Sequence, residues 1–448
     1  RTPFTTLDSN SSIQKNDQTD PAIGATHIQL AEAAAEEGMV LLKNDSNTLP
    51  IDRSTVKKIA VIGASVQFSL QETGSQDCSN NGSSGCSIDF TTNVRTGDAG
   101  SSRVFSDPAK SVGPLAGIMG AATGITVTRY NKASDAISAG FDFAVVMAGL
   151  TSGDEGEEYT GAGDRTTGGI ASTSHQVVLS LDPKVGSGTQ NTLISDVAAA
   201  GKPMVVVLEA GGIIDMSSWY SKVPAVVMAW YPGMVGGVAL GRLLFGDANF
   251  SGKLPVTWDT TLSHWPEFAD PSGSTAMGYW VGYQYFDHNG TTLSPKDGSF
   301  PFGYGLSYTT FSYENLEVPC STVPSDGVVP VKVEVHNQSA VAGTETVFVF
   351  VQYPSSSVTN RAGTNYKELK AFYRVSLAAK GTTGDAKQIT IPLRVKDLKY
   401  WDTTMSGWAV EPGMVKVIVA PNAGAASTPC SGKGGVGCAL SDTFTVTQ

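Results

Sequence analysis

Four carboxylates fall within five residues, at Asp154, Glu155, Glu157 and Glu158. They lie in the run Thr151-Ser-Gly-Asp-Glu-Gly-Glu-Glu-Tyr-Thr-Gly-Ala-Gly-Asp-Arg165. Like charges this close raise one another's pKa, and partial burial raises them further. A carboxylic acid held protonated near neutral pH can donate a proton to a leaving group. On spacing alone two other readings stay open: a solvated acidic turn, or an oxygen-rich loop for a hard cation.

The run follows Phe143-Ala-Val-Val-Met-Ala-Gly149, a nearly continuous apolar stretch that reads as a strand buried on both faces. The chain turns polar at the carboxyl end of that strand, where ligand sites in open α/β sheets lie. Further strands are expected at 58–63, 125–129, 203–208 and 224–230. Helices are expected at about 26–37, 114–122, 132–139, 190–200 and 233–244, the last with several glycines that suggest close packing. Strands alternating with helices predict a largely parallel sheet with helices on both faces, joined by right-handed crossovers. Residues 64–112 read as mostly irregular, and a loop of that length within a domain is usually functional. From about residue 311 the pattern changes to period-two alternation, with strands at 331–335, 346–352, 388–393 and 415–420. That pattern predicts a β-sandwich. Trp401 and Trp408 are expected in its core or at an interface rather than as sugar platforms. The organisation is therefore a leading segment and linker helix over 1–48, an α/β sandwich over 49–260 carrying the acidic loop, a connector over 261–310, and an all-β domain over 311–448.

Composition narrows the function. The chain has 448 residues and 50 glycines, only 16% of its residues are charged, and its net charge is −11. Phosphate backbones need a basic face, so nucleic acid is an unlikely partner class. No apolar run reaches the ~18 residues of a membrane span. Gly63-Ala-Ser-Val-Gln-Phe68 follows a strand but lacks the glycine pattern that seats a pyrophosphate. No histidine lies at ligand spacing from a cysteine pair, and neither a metal nor an organic cofactor is implied. Cys78 and Cys86 flank one small loop and Cys430 and Cys438 another, which read as two small-loop disulfides of a secreted protein, leaving Cys320 over. Sequons at Asn10, Asn44, Asn81, Asn249, Asn289 and Asn337 fit a secretory route or a lysosome-like compartment. Arg1-Thr-Pro-Phe4 does not read as a signal peptide, so a signal is expected to have been removed or to sit on another polypeptide.

Several strings resemble glycoside hydrolase family 3. The acidic run, with Ser152-Gly-Asp-Glu-Gly-Glu-Glu158 before Gly163-Asp-Arg165, is similar to that family's acid/base segment, though Asp154 is an extra residue. Gly97-Asp-Ala-Gly-Ser-Ser102 resembles its glycine-rich turn, whose serine reaches the sugar. Ala229-Trp-Tyr-Pro-Gly233 resembles another turn, and Phe245-Gly-Asp-Ala-Asn249 with Ser251-Gly-Lys-Leu-Pro-Val-Thr257 a third segment, with Phe250 in place of the usual proline. Gly282-Tyr-Gln-Tyr-Phe-Asp287 and Phe300-Pro-Phe-Gly-Tyr-Gly-Leu-Ser-Tyr-Thr309 are the most specific matches. Lys367-Glu-Leu-Lys-Ala-Phe372 and Trp408-Ala-Val-Glu-Pro-Gly413 resemble the fibronectin type III-like domain that ends many members. Asp259 reads as part of a structural turn, not as a catalytic carboxylate.

The resemblance implies an α/β sandwich followed by a fibronectin type III-like domain, in a retaining exo-β-glycosidase, a β-glucosidase acting on terminal β-D-glucosyl residues. It implies Glu155 as acid/base, with Glu157 and then Glu158 as fallbacks, and Ser101, Asp164 and Arg165 against the substrate. In that family both domains follow a TIM-type barrel that carries the nucleophilic aspartate, and no eightfold series of βα units is found here. A retaining glycosidase needs two carboxyl groups about 5–5.5 Å apart on opposite sides of the bond, and one loop cannot supply both. The expected partner is therefore a barrel polypeptide, with a β-linked oligosaccharide as substrate and a higher oligomer possible. The alternatives are a β-xylosidase, a non-catalytic carbohydrate-binding or scaffold subunit, and, least favoured, an N-acetylhexosaminidase.

Overall fold

Uninterrupted runs of branched apolar residues become parallel strands, because such side chains suit a pleated surface buried on both faces. The computed structural model describes residues 25–63, 65–68, 86–95, 109–150, 179–181, 190–265, 278–362 and 366–447. These residues form two compact units. The first comprises 1–39, 45–214 and 222–248; the second comprises 40–44, 215–221 and 249–448.

In the first unit, β2 (Lys58–Gly63), β5 (Thr126–Tyr130), β6 (Phe143–Gly149), β7 (Met204–Glu209) and β8 (Ala225–Met228) are the sequence-expected strands. They lie in the order β5-β2-β6-β7-β8, and every pair is parallel. All seven residues of β6 and all six of β7 are buried. The helices are α1 (Ala25–Gly38), α2 (Pro114–Ala121), α3 (Ala133–Ala139), α4 (Gln190–Ala199) and α5 (Gly236–Leu244). Winding runs one way from β2 to β5 and the other way from β5 through β6 to β7. Right-handed crossovers then put α2 on one face and α3 with α4 on the other. The packing agrees: α2 lies on α5, which also meets α1, while α3 lies on α4. None of the described helices is long and apolar enough to cross a membrane.

One expectation is corrected within 64–112. That stretch contains a short antiparallel pair, β3 (Ser65–Phe68) with β4 (Cys86–Asp89). The strands are too short and too polar in sequence to show a strand period.

The glycines of α5 do what their number suggests. A Cβ on Gly237 would lie 2.1 Å from the Gly113 carbonyl oxygen, and one on Gly241 would lie 2.4 Å from that of Gly117. A Cβ on Gly117 would lie 1.7 Å from the Gly237 oxygen. The two helix backbones therefore touch, which only glycine permits. Arg53 closes the far end of this pair. Its guanidinium donates to the Ala121 and Phe245 carbonyls at the two helix C-termini and pairs with Asp247 at 3.0 Å. That placement accounts for the Phe245-Gly-Asp string.

The second unit is built on a sandwich. One sheet runs β10 (Thr322–Pro324), β19 (Leu440–Thr447), β17 (Gly413–Ala420), β12 (Gly343–Gln352), β13 (Glu368–Leu377). The other runs β14 (Ala386–Arg394), β11 (Val328–Asn337), β9 (Phe311–Glu317), β18 (Gly434–Val436). Inward residues such as Val331, Val333, Val349, Ile391, Val417 and Phe444 form the core between them. β12 departs from simple alternation, because its outer face is covered too. Phe348 and Phe350 form a second cluster with Ile418 and Ala420, packed by Tyr283 and Phe302. Trp401 and Trp408 are not core residues. They pair across the hairpin of β15 (Tyr400–Asp402) and β16 (Gly407–Ala409), and are 52% and 61% exposed. A two-stranded ribbon has no second layer to bury them.

The most diagnostic strings of the sequence are framework of this unit. The Tyr283 hydroxyl accepts the Leu369 N–H at 2.7 Å and its ring stacks on Phe302. Asp287 takes a 2.6 Å ion pair from Lys367, whose side chain is almost wholly buried. Asn249 donates to Thr309 and the Ala342 carbonyl and accepts from Ser307 and the Tyr308 N–H. Asp259 accepts from Thr261 N–H, Ser299 and the His264 ring, the structural turn expected of it.

These contacts involve two of the sequon asparagines. The Asn249 amide nitrogen is already engaged. Asn337 is buried and donates to the Val341 and Ala378 carbonyls. Neither nitrogen is free to carry a glycan in the folded chain. Asn289 is exposed and Asn44 partly so, while Asn10 and Asn81 lie outside the described residues. Cys430 and Cys438 form the expected disulfide and Cys320 is a free thiol. The pairing expected of Cys78 with Cys86 involves residues outside those described.

Two predictions follow from this packing. Gly237→Ala should destabilise the fold by about 2–4 kcal/mol through overpacking, whereas Gly120→Ala on the open side of α2 should be neutral or stabilising. Denaturant unfolding of both variants checks this, and equal stabilities would contradict the backbone contact. Burial, opposed by Lys367, raises the Asp287 carboxyl from 3.8 to about 6. An acid with a raised folded pKa holds its extra proton in the native state. Its contribution is therefore full below about pH 4 and is lost as pH rises to 6, a change of roughly 3 kcal/mol. Unfolding measured from pH 4 to 7 should show that slope in the wild type and not in Asp287→Asn.

Candidate functional site

Parallel strands share one carboxyl edge, and the loops that leave it are the ones free to build a site. In the first unit that edge is formed by Gly63 of β2, Gly149 of β6, Glu209 of β7 and Met228 of β8. Winding reverses between β2 and its neighbour β6. In open sheets of this kind, ligands usually lie at the carboxyl ends of the two strands where the winding reverses. Ser101 belongs to the stretch between β4 and α2, whose described flank is Arg95. The loop after β6 is the one that carries the acidic run. The fold thus brings together the roots of the two segments that the sequence marks for chemistry.

The root of the acidic loop is held tightly. The buried Gln190, first residue of α4, accepts the Gly149 N–H through Oε1 at 3.0 Å. Its Nε2 donates to the Gly149 carbonyl at 3.0 Å and to the Leu181 carbonyl at 2.9 Å. One donor and two acceptors around the amide fix which way it points. Leu150 N–H donates to the Glu209 carbonyl at 3.0 Å, and Arg95 Nη2 donates to the Leu150 carbonyl at 2.9 Å. Leu150 and Leu181 are both fully buried. Gly149 is required here, because a Cβ would lie 2.1 Å from the Glu209 oxygen and 2.7 Å from the Phe90 ring.

Arg95 ties further elements to this root. Its guanidinium lies 5.7 Å from the Phe90 ring centroid and 5.3 Å from that of Tyr231. Its carbonyl accepts the Gly233 N–H at 2.8 Å. The turn Trp230–Gly233 that follows β8 is therefore fastened to the same arginine. Trp230 has φ 58°, a left-handed backbone costing about 1–3 kcal/mol for a bulky residue. Such strain collects at sites where side-chain direction matters. Glu209, a second buried charge, closes β7 on the same edge.

Glu155, Glu157, Glu158, Asp164, Arg165 and Ser101 all lie outside the described residues. What the structure places is the ground they spring from. Sequence reading missed Gln190, Arg95 and Glu209. Gln190 did leave a signal, since it occupies the first position of the buried stripe Gln190, Leu193, Ile194, Val197 of α4. A polar residue on an apolar stripe calls for a buried partner. Glu209 ends an apolar strand run and is a similar signal, whereas nothing around Arg95 in sequence marks it.

The C-terminal domain profile of glycosyl hydrolase family 3 matches residues 39–308, and a fibronectin type III-like domain profile matches residues 345–423. The chain is 33% identical over 405 residues to thermostable beta-glucosidase B of Acetivibrio thermocellus, covering 88% of this chain and 46% of that protein. It is 29% identical over 401 residues to a beta-xylosidase of Formosa agariphila, covering 88% and 48%. The crystal structure of beta-D-glucoside glucohydrolase from Trichoderma reesei superposes with a TM-score of 0.70 at 27% identity, over 95% of this chain and 56% of that one. The chain spans about half the length of the curated relatives it matches.

Proposed function

This chain belongs to glycosyl hydrolase family 3, and we propose that it serves a retaining exo-β-glycosidase, a β-glucosidase, by supplying the general acid/base. The observation that supports the reading is the hydrogen bond from Arg95, which flanks the Ser101 segment, to the Leu150 carbonyl, which flanks the Glu155 segment. Glu155 protonates the glycosidic oxygen as the bond to the anomeric carbon breaks, then takes a proton from the incoming water. Ser101, Asp164 and Arg165 contact the sugar. The nucleophilic carboxylate attacks from the opposite side of the ring and is not one of the carboxylates of the acidic loop. The Cys430–Cys438 bridge supports an oxidising, secretory setting, with Asn289 as the best-exposed acceptor for a glycan.

A second reading has a specific observation behind it. One relative with 88% coverage of this chain is a beta-xylosidase, so a β-xyloside is the alternative substrate. Paired assays on aryl β-glucosides and β-xylosides decide between the two.

In the intact enzyme, Glu155→Gln should lower kcat/KM for cellobiose by about 10²–10⁴-fold. A dinitrophenyl glucoside, whose leaving group needs no proton, should lose far less in the same ratio. Unchanged cellobiose turnover would remove Glu155 from the role.

A further inference from the structure

The amide of Gln190 meets both ends of one loop. It binds Gly149, where the chain leaves β6, through donor and acceptor together, and it binds Leu181, where the chain returns. The contact to Gly149 has the form of a strand pairing, made by a side chain instead of a backbone. Residue 190 is itself fixed as the first residue of α4, whose Leu193, Ile194 and Val197 are buried. The clamp is therefore anchored to the hydrophobic core. Arg95 adds a second hold at the Leu150 carbonyl.

We propose that Gln190 is a positioning residue for the acid/base: by tying Gly149 and Leu181 together it fixes the base of the loop that presents the catalytic acid. This inference rests on the assignment of the acid to the 151–165 segment. A proton can be delivered to the leaving oxygen only within hydrogen-bond reach, and a misplacement of about 1 Å costs about a hundredfold in rate. A loop with two loose ends transmits every displacement of either stem to its acid. A loop whose stems share one buried amide has a single fixed origin. A purely structural amide would affect stability and all substrates alike. A positioning amide affects the proton-dependent step selectively.

The test uses Gln190→Met, which keeps the volume and loses all three hydrogen bonds, and Gln190→Glu, which keeps an acceptor for the Gly149 N–H but sets a carboxylate against two carbonyls. Both are made in the intact enzyme beside Glu155→Gln, with thermal unfolding to confirm a folded state. For Gln190→Met, kcat/KM on cellobiose should fall about 10–100-fold, and that on the dinitrophenyl glucoside less than about threefold. The alkaline limb of its kcat/KM profile should move to lower pH, as the acid loses its fixed environment and relaxes toward an ordinary carboxyl. Gln190→Glu should behave the same way or worse. Equal losses on both substrates, or none, with an unmoved alkaline limb would overturn the proposal. If Gln190→Met shows the selective loss and Glu155→Gln does not, the clamp stands and the acid is another carboxylate of the loop. If Glu155→Gln shows it and Gln190→Met does not, the acid assignment stands and the clamp falls.

Discussion

A right-handed crossover can wind a parallel sheet in only one rotational sense, so a sheet with helices on both faces must reverse its direction of growth once. Here the reversal falls between β2 and β6, and much of the first unit follows from it. α2 covers one face as the crossover from β2 to β5, and α5, which follows β8, packs on it until their backbones touch at Gly117 and Gly237. α3 and α4 take the other face. The carboxyl ends of β2 and β6 lie side by side at that reversal, where open sheets of this kind usually take a ligand. The site is a consequence of chirality before it is a consequence of any particular residue.

Within the second unit the physics is different. There the task is to bury polar side chains without leaving them unpaired. Asn249 uses its whole amide on Ser307, Tyr308, Thr309 and Ala342. Lys253 reaches both the Gly305 carbonyl and Glu345. Lys367 is spent on Asp287, at the cost of holding that carboxyl in a place that raises its pKa. Removing one partner from such a pair leaves the other buried and unpaired, which is worse than never having had either. That asymmetry explains why long, specific strings such as 300–309 serve packing in this protein. Ser307, Tyr308 and Thr309 meet Asn249, and Phe302 stacks on Tyr283.

How much could be read from the sequence follows the same division. Local patterns announced local structure. The apolar runs at 58–63, 143–149 and 203–208 announced their strands, the glycines of 233–244 announced a close helix contact, and the acidic run marked where chemistry would be sought. What stayed hidden was anything set by a partner distant in sequence. Asn249 and Asn337 match a glycosylation pattern, yet fold brings carbonyls to their amides. Trp401 and Trp408 have the composition of core residues, yet a hairpin without a second layer leaves them in solvent. The Ser65–Phe68 and Cys86–Asp89 pair was missed because four residues are too few to show a period. Arg95 carries no local mark at all, since its meaning lies in Leu150, Tyr231 and Gly233.

Glycoside cleavage with retention places a demand on such a fold that a single loop cannot meet. The two carboxyl groups must stand about 5–5.5 Å apart on opposite sides of the sugar. Asp154, Glu155, Glu157 and Glu158 share one short stretch of backbone, so only one of the two roles can come from it. The acid's position then has to be right relative to a group carried by a different element, and the error in placement is the sum of the errors of both. A sheet edge is stiff, while a loop rooted in it is only as stiff as its stems. The buried amide of Gln190, the arginine at Leu150 and the side-chain-free contact at Gly149 all act at that weak point. They tie β6, β7 and α4 to Gly149, Leu150 and Leu181, the described residues that flank the acidic run.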